Sequence, residues 1–334
     1  MQATPSQAEK ELRQRSNFGL KLLLMPSIGT LLPIIVLCIF TGAVKPNFWT
    51  WQYISTTLRE SIFIGTCALG QAVVQLIGQV DLSVGMSGCF AGLMMGYAAM
   101  NWGWPLVPCM LLCLAVGAAV GFINGFCYTK LNLSPWITTL ATQFVCTGLA
   151  ITIGKGEAQM ITSLGIQDFT RARPLNLSWL FFIFLIIVVV LDFVVRKTKF
   201  GYKLRAVGGN AESAQMAGIN VKRIQLAVFI LAGVLAAIGG MFDVMMKGCG
   251  QDTYGVGREF RTIICCSVGG ISAGSGSIYG VAFGILLFHL LRSCLSILAV
   301  DTNVQLVVIG AVLVLAVILD VLRKRLEKKD LSRL

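Results

Sequence analysis

The sequence falls into ten apolar runs, at about 22–44, 61–78, 84–101, 105–127, 135–154, 177–195, 224–246, 259–271, 276–298 and 303–322. A helix that crosses the hydrocarbon core of a bilayer needs about 20 predominantly apolar residues, and most of the runs are close to that length. Water is absent from that core, so each backbone N–H and C=O must be satisfied inside its own helix. Composition agrees: of 334 residues, 56% are hydrophobic and 13% charged, about half the charged share of an ordinary soluble domain. A soluble fold of this size has no way to hide so much apolar surface. The sequence thus specifies an all-α polytopic membrane protein of about ten transmembrane helices. It argues against a soluble enzyme, a disordered chain and a nucleic-acid binder. The runs at 84–101 and 259–271 are short or rich in Gly and Ser. They read as tilted, broken or re-entrant helices, which are tolerated where backbone lines a cavity or is covered by protein. The first run is too long for a signal-peptide core and lacks a small-residue cleavage site, so it reads as a retained span.

Charge sets the expected orientation. Lys10, Arg13, Arg15 and Lys21 lie before the first run, Lys130 between the fourth and fifth, seven Lys/Arg in 196–223 and six in 323–334. These are 18 of the 27 basic residues, all on one side of a ten-span chain. The positive-inside rule places that side, with both termini, in the cytoplasm. The net charge of +12 is then a topology signal. The expected organisation is a cytoplasmic tail at 1–21, a transmembrane domain at 22–322 and a basic cytoplasmic tail at 323–334.

The longest cytoplasmic connection is residues 196–223. Within it Asn210 is placed to cap a short helix with small faces at Ala211, Ala214 and Ala217, and Gly218 to stop it. So short a helix does not hold alone in water and needs a surface to dock on.

Polar residues interrupt the apolar runs in two places. The first is Gly70-Gln71, Gln75, and Gly78-Gln79-Val80-Asp81-Leu82-Ser83-Val84-Gly85. Ionisable groups at membrane depth face a cavity or a partner. Asp81 and Ser83 either cap the third helix or line a translocation path, and the two roles are compatible. The second is Gly269 to Ser277, which includes Ser272. Both interruptions precede spans that point the same way, which fits an internal repeat and fits close helix packing through small residues equally well. Asn124 reads as a helix-packing hydrogen bond or a path residue. Glu259 and Arg261 open the eighth run but, two residues apart on a helix, do not face each other. Asp192, Asp243, Arg292 and Asp320 are expected to snorkel to the interface, and His289 to pack within the bundle.

Several chemistries lack their residues. The eleven Cys include no CxxC pair and lie mostly in apolar runs, and a single His excludes multi-histidine metal sites. No phosphate-binding G-x-x-x-x-G-K-[ST] motif or HExxH is present. No catalytic or metal-binding residue is expected, and any pump built on this chain must draw its energy from another chain.

Three stretches, GQVDLSVG at 78–85, GYKLRAVGGNAESAQMAGINVKRI at 201–224 and VGGISAGSGSIYGVAFG at 268–284, resemble the permease subunits of bacterial sugar ATP-binding-cassette importers, most of all the ribose type. The likeness covers about 45–322, and its middle stretch is the most specific. It implies about ten spans in the bacterial inner membrane and a second permease chain, a copy or a paralogue. It also implies a periplasmic sugar-binding protein and a cytoplasmic ATPase that holds ATP and Mg, with no cofactor on this chain. By this resemblance Gly208, Gly209, Asn210, Glu212, Ala214, Ala217 and Gly218 belong to the element that docks on the ATPase. Candidates for the sugar path are Gln71, Gln75, Asp81, Ser83, Asn124, Glu259 and Ser272. An ion-coupled secondary transporter or channel for a small polar solute is the alternative class that broken helices and Asp81 permit.

Overall fold

A computed structural model describes residues 26–161, 177–252, 255, 257–311 and 314. The tails expected at 1–21 and 323–334, and Asp320, lie outside the described residues. The chain divides into two compact units, one made of residues up to Pro46 together with those from Leu290, the other of Asn47–His289.

The larger unit holds α2 (Trp51–Leu76), α3 (Val84–Asn101), α4 (Leu106–Thr129), α5 (Pro135–Gly154), α6 (Trp179–Lys197), α7 (Lys199–Gly209), α8 (Ala211–Met216), α9 (Val221–Lys247), α10 (Arg258–Val268) and the first part of α11 (Ile278–Ile297). The smaller unit contains α1 (Pro26–Val44), the end of α11 and a helix at Thr302–Ala311, here α12. In that unit Cys38 Sγ of α1 lies 3.9 Å from Cys294 Sγ of α11. Asp301 Oδ1 accepts from Asn303 N at 2.8 Å at the start of α12.

Among the described residues five helices are long and apolar enough to cross a membrane: α4, α5, α6, α9 and α11. The protein is mostly helical and multi-pass. α4, α5 and α6 expose large apolar side chains such as Val107, Phe144 and Ile186, which in a bilayer face lipid. By contrast α2 from Ser61 to Leu76 and most of α3 are buried on all faces. Their lower hydropathy fits a place inside the bundle, where small and polar residues pack helix on helix.

α9 is the centre of the larger unit, packed against α4, α2 and α3. Small residues allow this. A Cβ on Gly121 of α4 would strike the Phe229 carbonyl oxygen, and one on Gly240 of α9 would strike that of Gly88 on α3. Because Gly88 meets Ala236 and Gly92 meets Gly240, α3 runs parallel to α9 and starts opposite the middle of it. α3 is therefore a helix that begins deep in the bundle. The loops after α5 and α9 are joined by an antiparallel strand pair, β1 (Gln159–Met160) and β2 (Cys249–Gly250).

Several boundaries differ from the hydrophobic runs. α2 begins at Trp51, ten residues before its run, because the polar segment 51–60 is helical without being apolar. α10 ends at Val268, and Gly269–Ile271, included in its run, form the turn that stops it. α7 was not expected at all: the basic 196–223 connection contains this 11-residue helix, started by Thr198, whose Oγ1 accepts from Gly201 N at 3.3 Å. Asp192 and Asp243, expected to snorkel, are 5% and 8% exposed. Each is instead ion-paired, Asp192 with Arg196 at 3.2 Å and Asp243 with Lys247 at 2.7 Å, as a buried carboxylate requires.

Candidate functional site

Two helix breaks organise the larger unit, and both use the same device. At the end of α2, Gly78 N donates to Gln75 O at 2.9 Å and Gln79 N to Val74 O at 3.1 Å. At the end of α10, Gly270 N donates to Ser267 O and Ile271 N to Cys266 O, both at 3.1 Å. Gly78 and Gly270 have φ of +76° and +74°, the left-handed conformation that this glycine cap needs.

After the first break the chain is held by side chains. Asp81 Oδ1 accepts from Ser83 N at 2.7 Å and Ser83 Oγ at 2.6 Å. Asn124 Nδ2 of α4 donates to Ser83 Oγ at 2.9 Å, and Thr142 Oγ1 of α5 donates to Asn124 Oδ1 at 2.7 Å. These donors form a relay that converges on the Asp81 carboxylate, and each bond polarises the next. Leu82 N donates to Thr139 Oγ1 at 3.0 Å. Asp81, Ser83 and Asn124 are each 1% exposed. Asp81 thus shapes the turn that leads into α3; the helix is capped at Ser83, without a side-chain cap bond.

The start of α10 meets this region. A Cβ on Gly85, in the first turn of α3, would lie 2.9 Å from Gly255 O and 3.1 Å from Glu259 N. Two helix N-termini, each with partial positive charge, therefore lie side by side opposite the middle of α9, with an acid beside each. Glu259 Oε1 accepts from Gln143 Nε2 of α5 at 3.0 Å. Among the described residues Glu259 Oε2 and Gln143 Oε1 have no hydrogen-bond partner, although Glu259 is 4% exposed. Neither polar atom of Gln71 on α2, which is fully buried, has a partner there either. Unsatisfied buried polar groups are rare and call for a ligand, water or ion.

The structure brings Asp81, Ser83, Asn124 and, through α5, Glu259 into one polar region. It does not bring Ser272 there. Ser272 closes a tight turn with Ser275, their hydroxyl oxygens 2.6 Å apart. Gln75 is half-buried in the last turn of α2. Thr139, Thr142 and Gln143 were missed. Their signal is a polar stripe at helical spacing in an otherwise apolar α5.

The second candidate region is the connection from α6 to α9. Asn210 closes α7 and caps α8, its N–H donating to Ala206 O at 3.1 Å and its Oδ1 accepting from Ser213 N at 2.9 Å. Gly218, at φ +83°, and Ile219 stop α8 by the same glycine cap, bonding Gln215 O and Ala214 O. Ala214 is buried, while Glu212, Gln215, Met216 and Ala217 are exposed. Gly208 packs inward and Gly209 is exposed. Among the described residues no cluster of His, Cys, Asp and Glu could hold a metal ion.

A chain of this architecture, with buried polar groups between helices and a short exposed helix outside them, is that of a membrane transport component. Residues 53–317 match the family described as branched-chain amino acid transport system / permease component, and the chain belongs to it. It is 33% identical over 305 residues to the ribose import permease protein RbsC of Bacillus subtilis (strain 168), covering 89% of this chain and 93% of that one. It is 32% identical over 298 residues to the L-arabinose ABC transporter permease protein AraH of Azospirillum brasilense, covering 89% and 88%. It is 30% identical over 315 residues to the galactose/methyl galactoside import permease protein MglC of Escherichia coli (strain K12), covering 88% and 92%.

Proposed function

We propose that the chain is the transmembrane permease subunit of an ATP-binding-cassette importer and forms the path for a sugar, ribose or a similar monosaccharide. It is a transport subunit without catalytic activity of its own. The sugar arrives on a periplasmic binding protein, and ATP with its magnesium is hydrolysed on a separate ATPase. The permease pairs with a second permease chain, a copy or a paralogue, in the bacterial inner membrane. It crosses ten times, through α1 to α6 and α9 to α12, with both termini in the cytoplasm, as the distribution of Lys and Arg requires.

The observation that carries this reading is the meeting of the α3 and α10 starts within a family permease. Discontinuous helices whose N-termini meet at depth are the usual frame of a transporter binding region. A sugar is a cluster of hydroxyls, each both donor and acceptor. Glu259 Oε2 and Gln143 Oε1 offer acceptors, and the Gln71 carboxamide offers both kinds of group. Asp81, Ser83 and Asn124 hold the wall beside them, and Gln75 and Ser272 belong to the inner end of the path. On the cytoplasmic side, α8 with Gly208, Gly209 and Gly218 docks on the ATPase, which supplies the burial that so short a helix lacks.

The test is uptake into proteoliposomes holding the permease with its ATPase and binding protein. Radiolabelled D-ribose, L-arabinose and D-galactose are offered in turn with ATP inside. Accumulation of at least one of them is expected; accumulation of none would overturn the assignment to monosaccharides.

A further inference from the structure

The second break is fixed differently from the first. Residues 271–277 form a small turn in which Ser272 N and Ser275 O, and Ser275 N and Ser272 O, exchange bonds of 3.0 Å. Outside that turn it is gripped by backbone and by one side chain. Gly274 N donates to Leu76 O, the end of α2, at 2.8 Å. Gly208 of α7 sits on the same two atoms: a Cβ there would strike Leu76 O and come within 2.5 Å of Gly274 N. A Cβ on Gly274 would in turn lie 2.8 Å from Gly209 N. Arg205, one helical turn back on α7, donates from Nη2 to Gly276 O at 2.9 Å, and its Nε points to Val195 O in the last turn of α6 at 3.5 Å. Three elements remote in sequence thus share one glycine-lined junction with a guanidinium laid across it. α7 joins α8 through the single extended residue Asn210, which ends the first helix and caps the second.

We propose that Arg205 is a positioning residue that couples α8 to the second helix break, so that a displacement of α8 is delivered to residues 269–277 and the end of α2. This deepens the permease reading and rests on α8 being the ATPase dock. Arginine suits the task because its planar fork reaches two carbonyls at once and is always charged. Glycines suit it because contact between backbones, with no side chain between them, leaves little slack. The polar wall at Asp81 is tied instead to α4 and α5, so Gly78–Val80 becomes the hinge between a driven end and an anchored one.

The test is hydrogen exchange of the permease–ATPase complex with and without ATP, magnesium and orthovanadate. In the wild type, peptides covering 207–218 and 269–277 should both change on trapping. In Arg205→Ala the ATPase should still co-purify and 207–218 should still respond, while the response of 269–277 falls about tenfold, as loss of one charge-assisted hydrogen bond implies. Arg205→Lys, which keeps a charged donor, should recover part of it. A merely structural role would raise basal exchange at 269–277 and leave the nucleotide response in place; an undiminished response in Arg205→Ala overturns the proposal. Should that variant fail to assemble, Arg205→Met keeps the aliphatic stem and loses the donor, and an undiminished response there overturns it equally. A wild-type complex whose 207–218 segment ignores nucleotide would overturn the docking reading itself, together with this inference, whereas failure at 269–277 alone refutes only Arg205.

Discussion

The two junctions of the larger unit are made of different material. Beside the starts of α3 and α10, Asp81, Ser83, Asn124, Thr142, Gln143 and Glu259 meet through hydroxyls, carboxamides and carboxylates. At the ends of α2 and α10, Leu76, Gly208 and Gly274 meet backbone to backbone, with Arg205 as the one long side chain. Side-chain bonds to polar groups are exchangeable: a passing hydroxyl replaces one partner with another at little net cost. Backbone contact through glycine is not exchangeable, and its geometry passes on displacement. The first junction suits a solute path and the second a mechanical link.

Four substitutions test that contrast. Gly208→Val forces a branched side chain into space held by Leu76 O and Gly274 N. Overpacking of this kind costs about 1–3 kcal/mol, and ATP-driven uptake should fall by about two orders of magnitude at the upper end of that range, read as initial rate in proteoliposomes. Glu259→Gln removes a buried charge while keeping the shape. Uptake should fall about tenfold while the thermal midpoint holds or rises, because a half-unpaired buried carboxylate is itself costly; a lowered midpoint with wild-type uptake would make Glu259 structural.

Asp81→Asn retains an acceptor for Ser83 N and loses the charge on which the relay converges. Uptake should fall about threefold to tenfold, the worth of about one ordinary hydrogen bond, because the carboxamide keeps an acceptor and loses only the charge. Wild-type uptake with a lower midpoint would reduce Asp81 to a turn-former. Asn210→Ala has the smallest expected effect. Loss of a helix cap costs about 1 kcal/mol, and docking of α8 restores much of the helix, so ATPase co-purification should drop only about twofold, measured by quantitative pull-down.

Much of the fold is legible locally. The run 177–195 becomes α6, and Asn210 and Gly218 bracket α8 as their chemistry predicts. α2 shows where hydropathy fails: Trp51–Glu60 is helical but polar enough to fall outside the apolar run. α7 was hidden because a basic, glycine-containing stretch reads as a loop until Leu204 and Val207 are seen buried. The site was half legible. Asp81, Ser83 and Glu259 stand out as polar residues at apolar depth. Their partners do not, because Thr139 and Thr142 are ordinary residues in a spanning helix, where a hydroxyl can bond its own backbone. Glu259 finds Gln143 across 116 residues of sequence, a separation that no local pattern encodes. Arg205 was counted only as one basic residue among seven.

Dependence on another chain for energy follows if this chain only lends a path. It is tested most directly in proteoliposomes containing the permease alone, offered D-ribose, L-arabinose and D-galactose under an imposed proton or sodium gradient, beside the same vesicles with ATPase, binding protein and ATP. Sugar accumulation is expected only in the second set. Gradient-driven accumulation by the permease alone would contradict it.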